Sequence, residues 1–165
     1  MKKILLFSAI LFTVGSLMSC KKDFDPGTTS GNKLGNGWWC TLTLGGADVY
    51  KVGTYFLNTY NTADNKDSIW IDDLKGGYGF KCKAAANFSN LTFSTPGSAN
   101  EYYVGTTAFP ASVNIVSGKV LPRAGHSLAG NVTDSIFIKA VFSDDLVDTF
   151  IVAGTARTGL VEDDY

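Results

Sequence analysis

His126 is the only histidine in the chain, so hydrolysis by an activated hydroxyl would have to be built around it. Such chemistry needs a nucleophile within reach of an imidazole that an acid orients. Ser127 and Asp134 are the nearby candidates, but Ser127 directly follows His126, and adjacent side chains diverge along a strand. There is no Gly-x-Ser-x-Gly elbow. Residues 122–127 read as a loop and His126 as a surface histidine, so no catalytic set is visible and no catalytic residue is assigned. Carboxylates gather at Asp72-Asp73, at Asp144-Asp145 with Asp148, and at Glu162-Asp163-Asp164. Paired acids can cleave glycosides at a suitable separation, or hold Ca²⁺ through several oxygens. They also end strands at solvated turns. Asp72 is the acid of most interest, because it follows Trp70 by two residues and shares its strand face. Trp39, Tyr55, Trp70 and Tyr103 are the aromatics best suited to meet a ligand, since such rings line pockets and stack on sugars or acyl chains. Two cysteines and one histidine at wide spacing form no metal-site pattern, and no cofactor is expected.

These residues must be carried by strands. Segments rich in aromatic and β-branched residues recur about every dozen residues, separated by Gly, Pro, Asn and Asp. The candidates are Gly37–Leu44, Lys51–Tyr60, Ser68–Leu74, Gly77–Phe88, Leu91–Ser94, Glu101–Thr107, Val113–Leu121, Asp134–Ser143 and Thr149–Arg157. Short connections imply an all-β antiparallel meander. Eight or nine such strands can close into a barrel whose lumen is filled or holds one small ligand; a two-sheet sandwich is the alternative. Asp134–Ser143 is apolar on both phases, so part of the outer wall should be covered, by the C-terminal tail or by another protein. Cys40 and Cys82 fall in alternating apolar stretches and could form a disulfide or remain two buried thiols.

The first 19 residues have a different character. Lys2 and Lys3 precede an apolar run from Ile4 to Val14, too short to span a bilayer as a helix. Leu17-Met18-Ser19-Cys20 resembles the lipobox of bacterial lipoproteins. That resemblance implies cleavage before Cys20, lipid on its sulfur, and a membrane partner at the cell envelope, on the outer membrane. Residues 20–36 read as a flexible tether, followed by one domain over residues 37–165. Lys22-Asp23 with Asp25 loosely resembles the signals that send Bacteroidota lipoproteins to the outer face, and equally suits a merely soluble linker. The chain carries 14 basic and 15 acidic residues; loss of Lys2 and Lys3 leaves 12 against 15, a net charge of −3. Without a basic patch, nucleic acid is not an expected partner.

Gly37-Trp38-Trp39 resembles the Gly-x-Trp that opens the first strand of lipocalin-like barrels. The resemblance implies an arginine late in the last strand, packed over the indole, a contact worth about 0.5–2 kcal/mol. Arg157 stands where that arginine would fall, giving Trp38 and Arg157 structural roles. More narrowly, the stretches Thr59-Tyr60-Asn61-Thr62-Ala63, Ile69-Trp70-Ile71-Asp72-Asp73, Gly118-Lys119-Val120, Thr133-Asp134-Ser135-Ile136 and Arg157-Thr158-Gly159-Leu160 resemble Bacteroidota lipoproteins described as lipid-binding putative hydrolases. That family's description implies a lipid ligand and a hydrolytic activity, with no catalytic residues to carry over. The expected function is therefore a membrane-anchored lipoprotein holding a small hydrophobic or amphipathic ligand in a β-barrel. A glycan-binding or glycan-processing lipoprotein and an esterase-like hydrolase are the alternatives.

Overall fold

The computed structural model describes residues 29, 31–64, 66–107 and 110–165. The leader, Cys20 and the tether up to residue 28 lie outside the described residues. Eight strands follow in chain order: β1 (Asn36–Leu44), β2 (Thr54–Asn61), β3 (Ser68–Asp72), β4 (Lys81–Asn87), β5 (Thr92–Ala99), β6 (Ser112–His126), β7 (Val132–Phe142) and β8 (Asp145–Ala156). Each pairs with its successor antiparallel, and β8 returns to β1, so the sheet is a closed barrel. The meander expected from the short connections is present, and the sandwich alternative is set aside.

The strand expected over Glu101–Thr107 is absent among the described residues, which turn there instead. The buried Asn100 side chain stops β5: it accepts from the Lys81 and Tyr102 N–H groups at 3.0 and 3.2 Å and donates to the Gly79 carbonyl at 3.0 Å. A side chain that satisfies three backbone groups turns the chain instead of extending it. At the other extreme, β6 runs on to His126 through a bulge between Leu121 and Gly125, where the sequence suggested a loop.

Strand alternation decides what is inside. Trp38, Cys40 and Leu42 of β1 are buried, as are Leu57, Ile69, Ile71, Cys82, Ile138, Phe142, Phe150 and Val152. The largest buried rings fill the lumen: Trp38, Phe142 and Phe150 from the strands and Phe80 just before β4 keep 0–1 % of their surface accessible, so none borders a void that water could enter. The chamber presumed for a lumenal ligand is occupied by the protein's own hydrocarbon. Packing is close enough to dictate glycine. Phe93 lies across Gly118, where a Cβ would stand 2.0 Å from its ring. Cys40 and Cys82 are free buried thiols on β1 and β4.

The two ends of the barrel are closed differently. At the floor, Leu34 is fully buried, although the sequence placed it in the tether. The Thr59 hydroxyl donates to the Leu34 carbonyl and accepts from the Trp38 indole N–H at 2.8 Å. A single apolar residue between Lys33 and Gly35 carries no periodic signal, so only packing reveals its role. Asp163 ties the C-terminal tail to the β6–β7 hairpin, accepting from the Ala129 N–H at 2.7 Å, the Asn131 amide at 3.2 Å and the Thr158 hydroxyl at 2.6 Å. At the mouth, Tyr78 stacks on Phe142 with centroids 3.7 Å apart and meets Phe150 edge-on at 5.1 Å, capping the core.

Candidate functional site

The five residues expected to bind ligand do not converge. Tyr55 alone points inward, under residues 76 and 77, with its buried hydroxyl unpaired. Trp39 faces outward and packs on Phe56 at 5.0 Å and on Tyr165 at 5.5 Å. The C-terminal tail thus covers the outer wall over β1 and β2, not over the outward face of β7, where Phe137 lines an open concavity. Arg157 joins this cluster. Its guanidinium lies 5.9 Å from the Phe56 ring and pairs bidentately with Asp164 at 2.6 and 2.7 Å. Trp38 is buried with its indole N–H on Thr59, so the ring under Arg157 is phenylalanine instead of the expected tryptophan.

Trp70 and Asp72 do share a face, as their spacing requires, and it is the outer one. Asp72 is nonetheless buried. It accepts from the Tyr102 hydroxyl, from the Tyr60 hydroxyl at 3.3 Å and from the Leu74 N–H at 3.0 Å, and lies 3.5 Å from the Lys81 ammonium. Four donors satisfy its oxygens, so it pins the loop between β5 and β6 to the wall. Tyr103, in the same loop, lies against Gly79, where a Cβ would meet its hydroxyl at 2.8 Å. Lys81 stands 5.7 Å from both the Tyr60 and Trp70 rings.

A larger concavity lies on the outer wall across β4 to β7. It has a volume of about 600 Å³ and is lined by Ala85, Ala86, Asn87, Thr92, Phe93, Ser94, Val116, Ser117, Gly118, Lys119 and Phe137. Small side chains make it. On adjacent strands Ala85 pairs with Ser94, and Lys119 pairs with both Thr92 and Phe137. Register shifts in β5 and β6, between Phe93 and Ser98 and between Ile115 and Ser117, bend the wall locally. Phe137 and Val116 supply apolar walls, hydroxyls supply weak donors, and Lys119 is the one charged lining residue. The volume lies within the range of small-molecule sites. Sequence reasoning missed this place. Its only trace was Phe137, an apolar residue on the outward phase of β7.

The electrostatics argue against activated nucleophiles. Burial pushes the Cys82 thiol up to about 12, with the Asp73 charge adding to it. Burial likewise raises Cys40, so neither thiol supplies a thiolate near neutral pH. Burial also raises the Asp73 carboxyl, against the pull of three backbone N–H donors from Gly79, Phe80 and Lys75 at 2.7–2.9 Å. That carboxyl organises the loop between β3 and β4. Asp163 behaves oppositely: it is only 1 % accessible but lies just beneath the surface, and the Thr158 hydroxyl and neighbouring donors hold it down at about 2. The Ser127 hydroxyl accepts from the Asn131 N–H at 3.0 Å, and Asp134 accepts from the Arg123 N–H at 2.8 Å. Both residues serve turns. Among the described residues, no three His, Cys, Asp or Glu side chains gather to hold a metal.

No curated protein matches the chain. Residues 23–161 match the family described as lipid-binding putative hydrolase, and the chain belongs to that family.

Proposed function

We propose that this protein is an envelope lipoprotein, anchored to the outer membrane through lipid on Cys20, that holds an amphipathic lipid-like molecule on the outside of its barrel. The observation that carries the reading is the apolar groove between β4 and β7, about 600 Å³ in volume, beside an interior occupied, among the described residues, by Trp38, Phe80, Phe142 and Phe150. Phe137, Val116 and Ala85 offer surface for an acyl chain, and each methylene removed from water contributes about 0.8 kcal/mol. Lys119 at the rim favours an anionic head, with Lys139 on the neighbouring strand opposite Ser117. A fatty acid or related anionic amphiphile fits this pattern.

Titration of the mature protein with a fluorescent fatty acid tests the proposal. Binding should saturate at one site and weaken about tenfold in Phe137→Ala, a loss of ~1.4 kcal/mol. Affinity unchanged by that substitution would remove the groove from the function. Incorporation of labelled palmitate, abolished in Cys20→Ala, tests the anchor; label retained in that variant would refute it.

A further inference from the structure

A second recess lies at the mouth of the barrel. It measures about 300 Å³ and is lined by Tyr50, Gly77, Tyr78 and Asp144. The two tyrosine rings meet at 83° with centroids 5.8 Å apart. Each ring has a core phenylalanine behind it: Tyr78 stacks on Phe142 at 3.7 Å, and Tyr50 lies near-parallel to Phe150 at 5.9 Å. The corner is therefore fixed by the core and does not depend on a loop alone. Gly77 packs its backbone on the Tyr55 ring, where a Cβ would stand at 2.7 Å, so a backbone without a side chain forms the third side of the recess. The Tyr78 hydroxyl donates to Asp144 Oδ1 at 3.2 Å, which holds the carboxylate at the lip.

We propose that this recess binds an organic cation, with a methylated or primary ammonium set into the corner of Tyr50 and Tyr78 and its charge directed at Asp144. Aromatic faces attract such cations through the ring quadrupole, and cages of this kind recognise quaternary ammonium groups. The surrounding charge agrees. Among the described residues of this end, six carboxylates (Asp48, Asp73, Glu101, Asp144, Asp145 and Asp148) stand against two ammonium groups, Lys51 and Lys75, while Asp72 and Lys81 pair with each other. A field of that sign concentrates cations and repels anions. A metal ion is a poor occupant, since hard cations seek six or more oxygens and a single carboxylate lines the recess. A neutral apolar guest would leave Asp144 and its field unused. The lip is also apolar beyond the recess: Leu146 and Val147, which follow Asp144 closely, are 76 % and 92 % exposed. Such a rim would accept the uncharged remainder of a larger amphipathic molecule.

The wall groove and this recess carry opposite charge preferences, so the second site stands or falls independently of the first. The test is NMR titration of the mature protein with choline and with its uncharged isostere 3,3-dimethylbutan-1-ol. Choline should shift the amides of residues 50, 77, 78 and 144 and bind at least tenfold more tightly than the isostere. Asp144→Asn and Tyr50→Ala should each weaken choline at least fivefold. Tyr50 is 54 % exposed, so its removal leaves the fold available to be measured by the same spectra. Sedimentation with phosphatidylcholine and phosphatidylglycerol vesicles separates the sources of the ammonium. Capture by the first alone assigns a lipid headgroup, and choline binding without capture assigns a soluble amine; both support the cation site. Equal affinity for the isostere, or choline shifts that persist unchanged in Asp144→Asn, would overturn it.

Discussion

The inside of this barrel and its outer wall between β4 and β7 are built from the same alternating strands, yet one is full and the other hollow. Inward positions carry Trp38, Phe80, Phe142 and Phe150, whose volumes close the lumen. Outward positions on the bent wall carry Ala85, Ser94 and Ser117, too small to fill the concavity behind them. The contrast teaches that a barrel is not a container by virtue of its topology. With eight strands the lumen is near the size that side chains alone can fill, so residue volume decides which surface is left for a guest.

The largest expected effect comes from emptying the full side. Phe142→Ala removes a ring packed between Phe80, Phe150 and Tyr78, and should cost about 3–5 kcal/mol in denaturant unfolding. Fatty-acid affinity per folded molecule should be unchanged; a gain of lumenal binding in this variant would blur the comparison. Next in size is filling the hollow side. Ser117→Trp should abolish fatty-acid binding while changing stability by only about 0.5 kcal/mol, as exposed substitutions usually do. Retained binding would show that the ligand sits elsewhere. A smaller effect follows from charge. Lys119→Glu should weaken an anionic amphiphile several-fold, leave an uncharged alcohol of equal chain length unaffected, and matter less at high salt. Equal losses for both probes would remove the lysine from head-group recognition.

The smallest effect concerns the floor, where a carboxylate helps to fasten the tail. The Asp163 carboxyl is held down at about 2 in the folded protein, below its ordinary value near 3.8. Its contribution is therefore complete above pH 4 and is lost as pH falls toward 2. Amide exchange at Ala129, whose N–H bonds to Asp163, should accelerate over that window at constant unfolding fraction. Protection that persists to pH 2 would mean the tail is held by its other contacts, Tyr165 on Trp39 and Arg157 on Asp164.

Local pattern carried much of this reading. The outward pairing of Trp70 with Asp72 followed from a period of two, and the buried phase of Ile136, Ile138, Ala140 and Phe142 was visible in the alternation of β7. Other features were not local. Asp72 looked like a free acid, because the tyrosine that covers it lies 30 residues away in a loop that resembled a strand. Leu34 looked like tether, because a single buried residue has no period. The groove escaped notice because small residues signal nothing until neighbouring strands curve around them.

The sequence alone determined strand order, inward phase and membership in a lipid-binding family, since these depend on residue type at short spacing. The filled lumen, the hollow outer wall and the aromatic corner at the mouth were decided only in three dimensions. Each depends on volumes and charges summed across strands far apart in the chain, and no segment holds that sum by itself.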